Sequence, residues 1–368
     1  MSKLKFTVIG HGHIGKRHAG IIQSLPDSEL EIGMRYELGG MSDPDSNTHT
    51  SSLIPHHSES AHTSSLIAAI CTPNNLHCAQ AIEAMKNGND VIIEKPMGLT
   101  VAECREVIAV AKNLNRKVFC VMQNRFSPPS RWLKEMVGSG RLGKIYSVQV
   151  NCFWNRNEDY YEQSTWKGKL TQDGGTLYTQ FSHFIDTLFW LFGDLEPVSA
   201  QFYNFNHPYI EFEDSGVVNA VGVNSEELRI KSALNSSLLP LNSESAINSS
   251  LFTLNSFPIQ INYSTSAYAQ NLESSITILA ENGSIKVGGQ YMDKVLACEV
   301  KDYEMPELED IQPPNDYGHY KGSASNHAYV YQNVLDVLAG KADIACTAEE
   351  GLKVVEFIEK VYTWRKGF

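Results

Sequence analysis

The chain has few cysteines, and none of them is spaced for a metal site or a disulfide framework. Its 368 residues include seven cysteines, which are scattered, odd in number and without a CxxC pair. Zinc sites and disulfide-rich domains both need regularly spaced cysteines. We therefore predict no metal cofactor and a reducing compartment.

Long hydrophobic runs are absent as well. No apolar stretch approaches the ~18 residues of a membrane span. Residues 1–16 carry a short apolar run that leads directly into glycines, without the hydrophobic core and cleavage site of a signal peptide. We expect a cytoplasmic protein with no membrane partner.

Positive charge is scarce. The chain has 30 lysines and arginines against 42 aspartates and glutamates, a formal net charge of −12. A nucleic-acid-binding face needs clustered Lys and Arg, so the charge balance argues against such a partner. A small anionic molecule can still bind at a helix N-terminus and a few basic side chains.

Patterns along the chain predict an α/β protein with two domains. A chain of 368 residues exceeds what one core usually organises. Over 1–123, β-prone runs alternate with helical patterns, which predicts a Rossmann-type, doubly wound parallel sheet. Over 124–325, short strand-like runs predict an α+β domain with a large, mostly antiparallel open sheet. Residues 326–368 are predicted to form helices that pack back on the body.

Two serine-rich segments, 42–65 and 225–256, have no clean hydrophobic period. We expect surface loops or poorly ordered insertions there. The first segment contains four histidines, namely His49, His56, His57 and His62. Without cysteines or a spaced carboxylate beside them, these histidines do not predict a metal site.

A glycine pattern near the start predicts dinucleotide binding. GHGHIG, residues 10–15, directly follows a β-prone run and opens a helical segment. Gly10 makes the tight turn, Gly12 lets the backbone approach a pyrophosphate, and Gly15 permits close packing of helix on strand. Two further predicted contacts lie in the same first turn: His13 and Ile14. The helix N-terminus supplies N–H groups and partial positive charge.

The residue expected to contact the adenosine ribose is Arg35. An acidic residue about 20 positions after the glycines would bind a free ribose hydroxyl, whereas an arginine pairs better with a 2′-phosphate. The sequence therefore leaves both NAD and NADP open as the cofactor.

Two segments follow predicted strands and should line the same crevice. CTPNNLH starts at Cys71 and VIIEKP ends at Pro96. The carboxyl ends of strands in a doubly wound sheet border the ligand site. Lys95 there would lie beside the nicotinamide ring, hold a substrate hydroxyl and stabilise developing negative charge on its oxygen. The predicted cofactor contacts in these segments are Thr72, Pro73, Asn74, His77, Glu94 and Lys95.

A third segment, DGGTLYTQFSHFIDTLFWLFG at 173–193, is mostly apolar but carries polar residues at spacings of three or four. On an α-helix these residues form one polar stripe. Its members are Thr176, Thr179, Gln180, His183, Asp186 and Thr187. If the stripe faces the crevice, His183 lies opposite Lys95. An unperturbed imidazole has a pKa near 6.5, which suits proton transfer at neutral pH.

These motifs resemble the Gfo/Idh/MocA oxidoreductase family, which includes glucose–fructose oxidoreductase and inositol dehydrogenase. The resemblance covers nearly the whole chain and rests on GHGHIG, CTPNNLH, EKP, QNRFSPP, DGGTLYTQFSHFID and TAEEG. It implies a Rossmann domain, and a second domain whose open sheet packs in homodimers or homotetramers. It also implies hydride transfer between a sugar or cyclitol carbon and a nicotinamide cofactor.

The resemblance also implies roles for individual residues. Lys95 matches the EKP lysine that activates the reacting hydroxyl, and His183 matches the acid/base histidine. Relatives with an aspartate four residues before that histidine have Thr179 here, so His183 lacks one usual carboxylate neighbour. Asp186 is expected to be a structural or orienting partner.

The loop WNRNEDYYEQSTWKG, residues 154–168, looks like that of relatives acting on nucleotide sugars, in particular the UDP-N-acetylglucosaminuronate 3-dehydrogenase-like branch. Its aromatic residues can stack on a sugar, and its basic residues, which include Lys167, can bind anionic groups. Alternatively, the loop packs over the open face of the sheet. Arg125 is either a substrate contact or an interdomain ion pair. The predicted substrate contacts are Arg125, Arg156, Tyr160, Tyr161, Trp166, Thr179 and Gln180.

Three hypotheses for function follow. The first is an oxidoreductase that moves hydride between NAD(P) and a hydroxyl-bearing carbon of a sugar, in particular a nucleotide sugar. The second is a dehydrogenase of a free sugar, inositol or dihydrodiol. The third is a non-catalytic dinucleotide-binding regulator with the same fold. Turnover separates the third hypothesis from the others, and a substrate panel separates the first two.

Overall fold

The computed structural model describes residues 4–26, 28–30, 66–222, 256–309, 311–316 and 321–366. The chain divides into two compact units. Unit 1 comprises Met1–Val121 with Val330–Leu352, and unit 2 comprises Met122–Tyr329 with Lys353–Phe368. Arg35, the segment 42–65 and nearly all of 225–256 lie outside the described residues.

Unit 1 contains a five-stranded parallel sheet. Its strands are β1 (Leu4–Ile9), β2 (Ser28–Leu30), β3 (Leu66–Ile70), β4 (Asp90–Ile93) and β5 (Val118–Cys120). Their order is β2-β1-β3-β4-β5, and every pair is parallel. The chain leaves β1 toward β2 and then returns to β3 on the other side of β1. The predicted doubly wound sheet is confirmed, with its topological switch point between β1 and β3.

Among the described residues, three helices of unit 1 connect these strands: α1 (His13–Ser24), α2 (His77–Lys86) and α3 (Val101–Leu114). The start of α3 has a capping box. Thr100 Oγ1 accepts a hydrogen bond from Glu103 N, and the Glu103 carboxylate accepts one from Thr100 N. Two backbone N–H groups at the helix start are thereby satisfied, which fixes where α3 begins.

Unit 2 contains a seven-stranded sheet of order β12-β11-β10-β6-β9-β8-β7. Its strands are β6 (Ile145–Phe153), β7 (Leu195–Tyr203), β8 (Ser215–Gly222), β9 (Phe257–Ser264), β10 (Glu273–Ala280), β11 (Gly283–Gly288) and β12 (Lys294–Val300). Neighbouring strands are antiparallel except β6 and β9. The predicted, mostly antiparallel sheet is confirmed. A small hairpin pairs β13 (Pro314–Asp316) with β14 (Lys321–Ala324).

The helical segments of unit 2 lie between its strands and before them. They are α4 (Pro128–Gly138), α5 (Glu158–Glu162), α6 (Leu170–Asp173), a π-helical turn (Leu177–Phe181) and α7 (Ser182–Phe192). Alternate residues of β6, Val148, Val150 and Cys152, are buried, as a half-buried strand requires. The core of unit 2 therefore lies on one face of the sheet.

Two helices follow near the C-terminus, α8 (His327–Leu338) and α9 (Ala348–Tyr362). A second capping box lies at the start of α9, with Glu350 N donating to Thr347 Oγ1 and Thr347 N donating to the Glu350 carboxylate. Among the described residues, no helix combines the length and the apolar character needed to cross a bilayer.

Candidate active site

The glycine loop after β1 has the geometry that its sequence predicts. Gly10 has φ +101°, and a Cβ there would lie 2.5 Å from the carbonyl oxygen of Cys71. A Cβ on Gly15 would lie 1.8 Å from the Gly10 carbonyl oxygen. Gly12 differs, because a Cβ on it would meet no atom of the described residues within 4 Å. The loop therefore has open space in front of the N–H groups of the first turn of α1, which includes His13 and Ile14. This cradle fits a dinucleotide pyrophosphate.

Gly12→Ala tests this cradle directly. Gly12 has φ −66° and ψ −172°, which alanine adopts without strain. We expect the free energy of unfolding to stay the same while the Kd for the dinucleotide rises by about ten- to hundredfold, or about 1.4–2.8 kcal/mol. Fluorescence titration with the reduced cofactor measures the change. The control is Gly20→Ala, on exposed α1 surface with equally open space, which should leave affinity unchanged.

The segment after β3 forms a second wall of the crevice. Thr72 Oγ1 donates to Gln80 Oε1 at 2.6 Å, and Pro73 and Asn74 lead into a short 3₁₀ turn. His77 is buried, with Nδ1 2.7 Å from the carbonyl oxygen of Pro96 and Nε2 2.8 Å from that of Thr72. Burial lowers the pKa of His77, opposed by these two backbone contacts. The ring therefore ties the segment after β3 to the segment after β4.

Glu94 and Lys95 follow β4 at the same edge of the sheet. The Glu94 backbone N donates to Ile70 O at 3.0 Å. The Glu94 carboxylate is buried, accepts from Lys95 N at 3.1 Å and lies 2.9 Å from His18 Nε2. His18 Nδ1 in turn lies 2.8 Å from the Tyr331 hydroxyl. Lys95 itself is half-buried. The contacts of Glu94 fix the backbone on which Lys95 is presented.

Sequence reasoning missed His18 and Tyr331 in this network. His18 lies on α1, eight residues after Gly10, and Tyr331 lies on α8. No spacing rule connects either residue to Glu94. The partners are set by the way that α1 and α8 pack within unit 1, which a local pattern does not encode.

The segment 173–193 is not the uninterrupted helix with one polar stripe that the spacing predicted. A π-helical turn, Leu177–Phe181, precedes α7 and changes the angular spacing of the residues before His183. Thr176, Gln180, His183, Asp186 and Thr187 are all buried. His183, Asp186 and Thr187 keep the predicted helical spacing on α7, whereas the residues before them do not.

His183 lies at the start of α7 and contacts a residue from outside that helix. Its Nε2 atom lies 3.1 Å from Nε2 of Gln123, and both side chains are buried. The His183 carbonyl oxygen accepts a hydrogen bond from Thr187 Oγ1 at 2.8 Å. Gln123 belongs to a short 3₁₀ helix, Gln123–Phe126, near the start of unit 2. Sequence reasoning missed this contact, although Gln123 begins the QNRFSPP motif.

Arg125 and Asp186 form a buried, bidentate ion pair. Arg125 Nε donates to Asp186 Oδ2 at 2.8 Å, and Nη2 donates to Oδ1 at 2.6 Å. The arginine also lies over the Trp190 ring. Both partners belong to unit 2, so the pair is not the interdomain one that was considered for Arg125. Asp186 orients the 3₁₀ helix against α7.

Thr179 contacts a carboxylate that the sequence motif did not indicate. Its hydroxyl donates to a carboxylate oxygen of Asp173, six residues earlier, and Asp173 Oδ2 accepts from Gly168 N at 2.8 Å. Asp173 is buried. Position 179 thus holds a threonine where the resemblance implies an aspartate, and the carboxylate of Asp173 lies next to that threonine.

Arg156 is the centre of the aromatic loop. Its guanidinium carbon lies 4.8 Å from the Trp154 ring centroid and 5.1 Å from that of Tyr160. Nε donates to Gln180 Oε1 at 3.0 Å, and Nη1 donates to Asn155 O at 2.6 Å. With 3% of its surface exposed, Arg156 holds the loop to the π-helical turn.

The two tyrosines of the loop are also buried. Tyr160 accepts from Gln180 Nε2 at 2.8 Å, and burial raises the pKa of its hydroxyl to about 12. Tyr161 meets Tyr160 edge-on at 5.0 Å between centroids. Trp166 and Lys167 are only half-buried, and Lys167 Nζ lies 3.7 Å from the Tyr160 ring centroid. The tyrosines pack with Ile210 and Phe212, and Arg156 is buried as well, while Trp166 and Lys167 reach solvent.

A buried histidine and aspartate support the loop from behind. His207 Nδ1 lies 2.8 Å from Asp214 Oδ2, and Nε2 lies 2.5 Å from the Arg156 carbonyl oxygen. Burial alone would raise the pKa of the Asp214 carboxyl, but hydrogen bonds from His207, Asn206 N, and the Ser215 and Ser266 hydroxyls lower it to about 2. The ionised carboxylate therefore stabilises the fold.

This shift predicts acid sensitivity. Because the pKa of Asp214 is lower in the folded chain than its ordinary 3.8, its contribution of about 2 kcal/mol is present above about pH 4 and is lost as the pH falls toward 2. We expect Asp214→Asn to lower the free energy of unfolding at neutral pH. The free energy of unfolding of this variant should also depend less on pH between about pH 4 and pH 2. Urea unfolding at several pH values measures both. Asp302→Asn, at an exposed carboxylate, should change neither.

The predicted site residues therefore fall into two groups. Unit 1 holds the described cofactor-binding candidates and Lys95, all at the carboxyl ends of β1, β3 and β4. Unit 2 holds His183 and the substrate-binding candidates. The approach of Lys95 to His183 across a substrate stays a prediction. Arg35 lies outside the described residues.

The chain matches two models of a known protein family. The model of the oxidoreductase family's NAD-binding Rossmann fold matches residues 4–122, and that of its C-terminal alpha/beta domain matches residues 134–364. The chain belongs to the Gfo/Idh/MocA oxidoreductase family. The first 120 or so residues are therefore the NAD-binding Rossmann fold of that family.

Two solved structures of this family are similar over nearly the whole chain. One is the WlbA dehydrogenase from Bordetella pertussis in complex with NADH and UDP-GlcNAcA, with 26% identity, a TM-score of 0.72, and coverage of 98% of this chain and 96% of that chain. The other is the WlbA dehydrogenase from Chromobacterium violaceum with the same two ligands, with 26% identity, a TM-score of 0.73, and coverage of 99% and 94%.

Curated relatives of the Gfo/Idh/MocA family match over shorter stretches. The D-glucoside 3-dehydrogenase of Escherichia coli is 27% identical over 127 residues, which are 34% of this chain and 36% of the relative. Alignments with the first curated relatives span between 30% and 56% of those proteins' length.

Proposed function

We propose that the chain is a nicotinamide-dependent dehydrogenase that moves hydride between a sugar carbinol and NAD, with a UDP-linked aminosugar uronate as substrate. The observation that carries this proposal is the similarity, over 98% of the chain, to a dehydrogenase crystallised with NADH and UDP-GlcNAcA. The glycine cradle at Gly12 and the accessible Trp166 and Lys167 support it.

Lys95 and His183 carry the chemistry in this proposal. The Lys95 ammonium positions the substrate hydroxyl and stabilises negative charge on its oxygen as the C–H bond breaks. His183 takes the hydroxyl proton in oxidation and returns it in reduction. A bound nicotinamide supplies the hydride acceptor or donor. Glu94 fixes the backbone at Lys95, and Gln123 contacts the His183 ring.

Substrate recognition is assigned to the accessible end of the aromatic loop. Trp166 offers a ring for the apolar face of a sugar, and Lys167 offers a positive charge for a carboxylate or phosphate. Arg156, Tyr160 and Gln180 form the buried support that places these two residues. Because the chain carries a net charge of −12, a local cation such as Lys167 would favour binding of an anionic substrate at this place.

A substrate panel tests the proposal. Purified protein is mixed with NAD or NADP and with UDP-N-acetylglucosaminuronate, UDP-N-acetylglucosamine, free glucose, inositol or a dihydrodiol, and reduction is followed at the nicotinamide absorbance. We expect the uronate to give the highest kcat/KM. A free polyol reacting faster than any UDP-sugar supports the second hypothesis instead. Cofactor binding without turnover on the whole panel supports a regulator.

We also propose that the chain assembles through the open face of the seven-stranded sheet. Leu279 and Leu296 lie on that sheet and are 45% and 51% exposed. A sheet face that carries large exposed apolar side chains favours association with a second copy. Analytical ultracentrifugation should give the mass of a dimer or tetramer, and a monomer at micromolar concentration would contradict this proposal.

A further inference from the structure

Gln123 contacts the imidazole of His183. The two Nε2 atoms are 3.1 Å apart, and neither side chain is more than 3% exposed. The contact joins residues 60 positions apart in the chain, so it is made by tertiary packing rather than by a local turn. A group this close to a buried imidazole determines which ring nitrogen carries the proton.

The position of Gln123 is fixed by a second contact between the same two elements. Two residues along the 3₁₀ helix Gln123–Phe126, Arg125 makes its bidentate pair with Asp186, three residues after His183 on α7. Two parallel hydrogen bonds between buried charges resist both translation and rotation. Gln123 is therefore held against the ring by a rigid attachment of its backbone.

The chemistry of an amide explains what this arrangement does. Rotation of the amide by 180° places either its oxygen or its nitrogen at the same distance from the ring. With the oxygen toward the ring, Nε2 carries hydrogen and donates, and the lone pair of the neutral imidazole is on Nδ1. When Nδ1 then takes a proton, Nε2 still carries hydrogen and still donates to the same oxygen. One amide orientation thus serves both protonation states.

We propose that Gln123 is a positioning residue that sets the tautomer of His183 and leaves Nδ1 as the atom that exchanges the proton. This inference rests on the proposed role of His183 as acid/base. In oxidation the proton passes from the substrate hydroxyl to Nδ1, and the electron pair of the broken O–H bond stays on the substrate oxygen. Because the amide is neutral, it orients the imidazole without the bias toward imidazolium that a carboxylate would impose.

The test compares Gln123→Glu and Gln123→Met with the wild-type chain by two independent readouts. The first is the tautomer and pH titration of His183 in ¹⁵N-histidine-labelled protein, with the resonance identified in His183→Asn. The second is the pH dependence of kcat on the preferred substrate of the panel. Gln201→Glu, an exposed residue on β7, adds the same charge away from the site and is the matched control.

We expect the neutral ring of the wild-type chain to carry its proton on Nε2. Gln123→Glu should keep that tautomer and raise the His183 titration midpoint by about one to three pH units, with the acid limb of the kcat profile moving equally. Gln123→Met, which is nearly isosteric, should lose the tautomer preference without an upward shift. Gln201→Glu should change neither readout.

The outcomes separate this proposal from the proposed function. A wild-type ring protonated on Nδ1, or a midpoint in Gln123→Glu within about 0.3 units of wild type, overturns the role of Gln123. If the titration behaves as expected but His183→Asn retains full turnover, the role of His183 fails while Gln123 still governs its ring. If Gln123→Glu does not fold, the tautomer of His183 in Gln123→Met is the test. A tautomer preference as strong as that of the wild-type chain then overturns the role of Gln123.

Discussion

His183→Asn should lower kcat by about 10²- to 10⁴-fold, the range contributed by a positioned general acid or base. Asparagine keeps a polar side chain at the start of α7 but cannot take up or release a proton at neutral pH. His183 is buried against Gln123. The amide of the introduced asparagine can therefore still hydrogen-bond to the amide of Gln123. Cofactor affinity should remain, because the dinucleotide cradle belongs to unit 1.

Steady-state kinetics over a range of pH measure this effect. The wild-type profile should show an acid limb that is absent from His183→Asn. Thermal unfolding and titration with the reduced cofactor establish that the variant is folded and binds dinucleotide. A variant with wild-type kcat and an unchanged acid limb would remove His183 from the mechanism.

Lys95→Met should lower kcat by about 10²- to 10³-fold, the usual result of removing one preorganised group that stabilises an oxyanion. Methionine keeps the length and apolar stem of lysine without its charge. The Glu94 carboxylate accepts its hydrogen bond from the backbone N of Lys95, so that bond survives the substitution. The loss should therefore reflect chemistry rather than a rearranged loop.

The matched control is Lys86→Met, an exposed lysine in the last turn of α2 in the same unit. It should leave kcat and cofactor affinity unchanged. Lys95→Arg keeps the charge but not the compact ammonium, and an intermediate rate is expected. If Lys95→Met loses cofactor affinity in proportion to its loss of kcat, Lys95 is a cofactor contact rather than the group that activates the substrate.

Much of the fold follows from local patterns in the sequence. The glycines after β1, the capping boxes at Thr100 and Thr347 and the strand Ile145–Phe153 each depend on residues close together in the chain. Such signals are local, because turn chemistry, caps and side-chain alternation act over a few residues. The position of β12 at the edge of its sheet, with four of its seven residues exposed, is not encoded by such a local pattern.

The candidate site was predictable only in its chemistry-bearing residues. Lys95 and His183 were indicated by motifs, but the partners of His183 and Asp186 were not. Gln123 and Arg125 reach α7 from 60 residues away, and a π-helical turn displaces the residues before His183 from α-helical spacing. These contacts depend on tertiary packing, which overrides the spacing that an ideal helix would impose.

The central claim is that hydride moves from a sugar carbon of the substrate to the nicotinamide. UDP-N-acetylglucosaminuronate deuterated at the carbon that bears the oxidised hydroxyl is incubated with NAD and the wild-type chain, and the cofactor is recovered for mass spectrometry. We expect one deuterium in the reduced nicotinamide, a keto sugar as product, and almost no transfer in Lys95→Met or His183→Asn. Bound but unreduced NAD with this substrate and with every deuterated sugar of the panel would contradict the account.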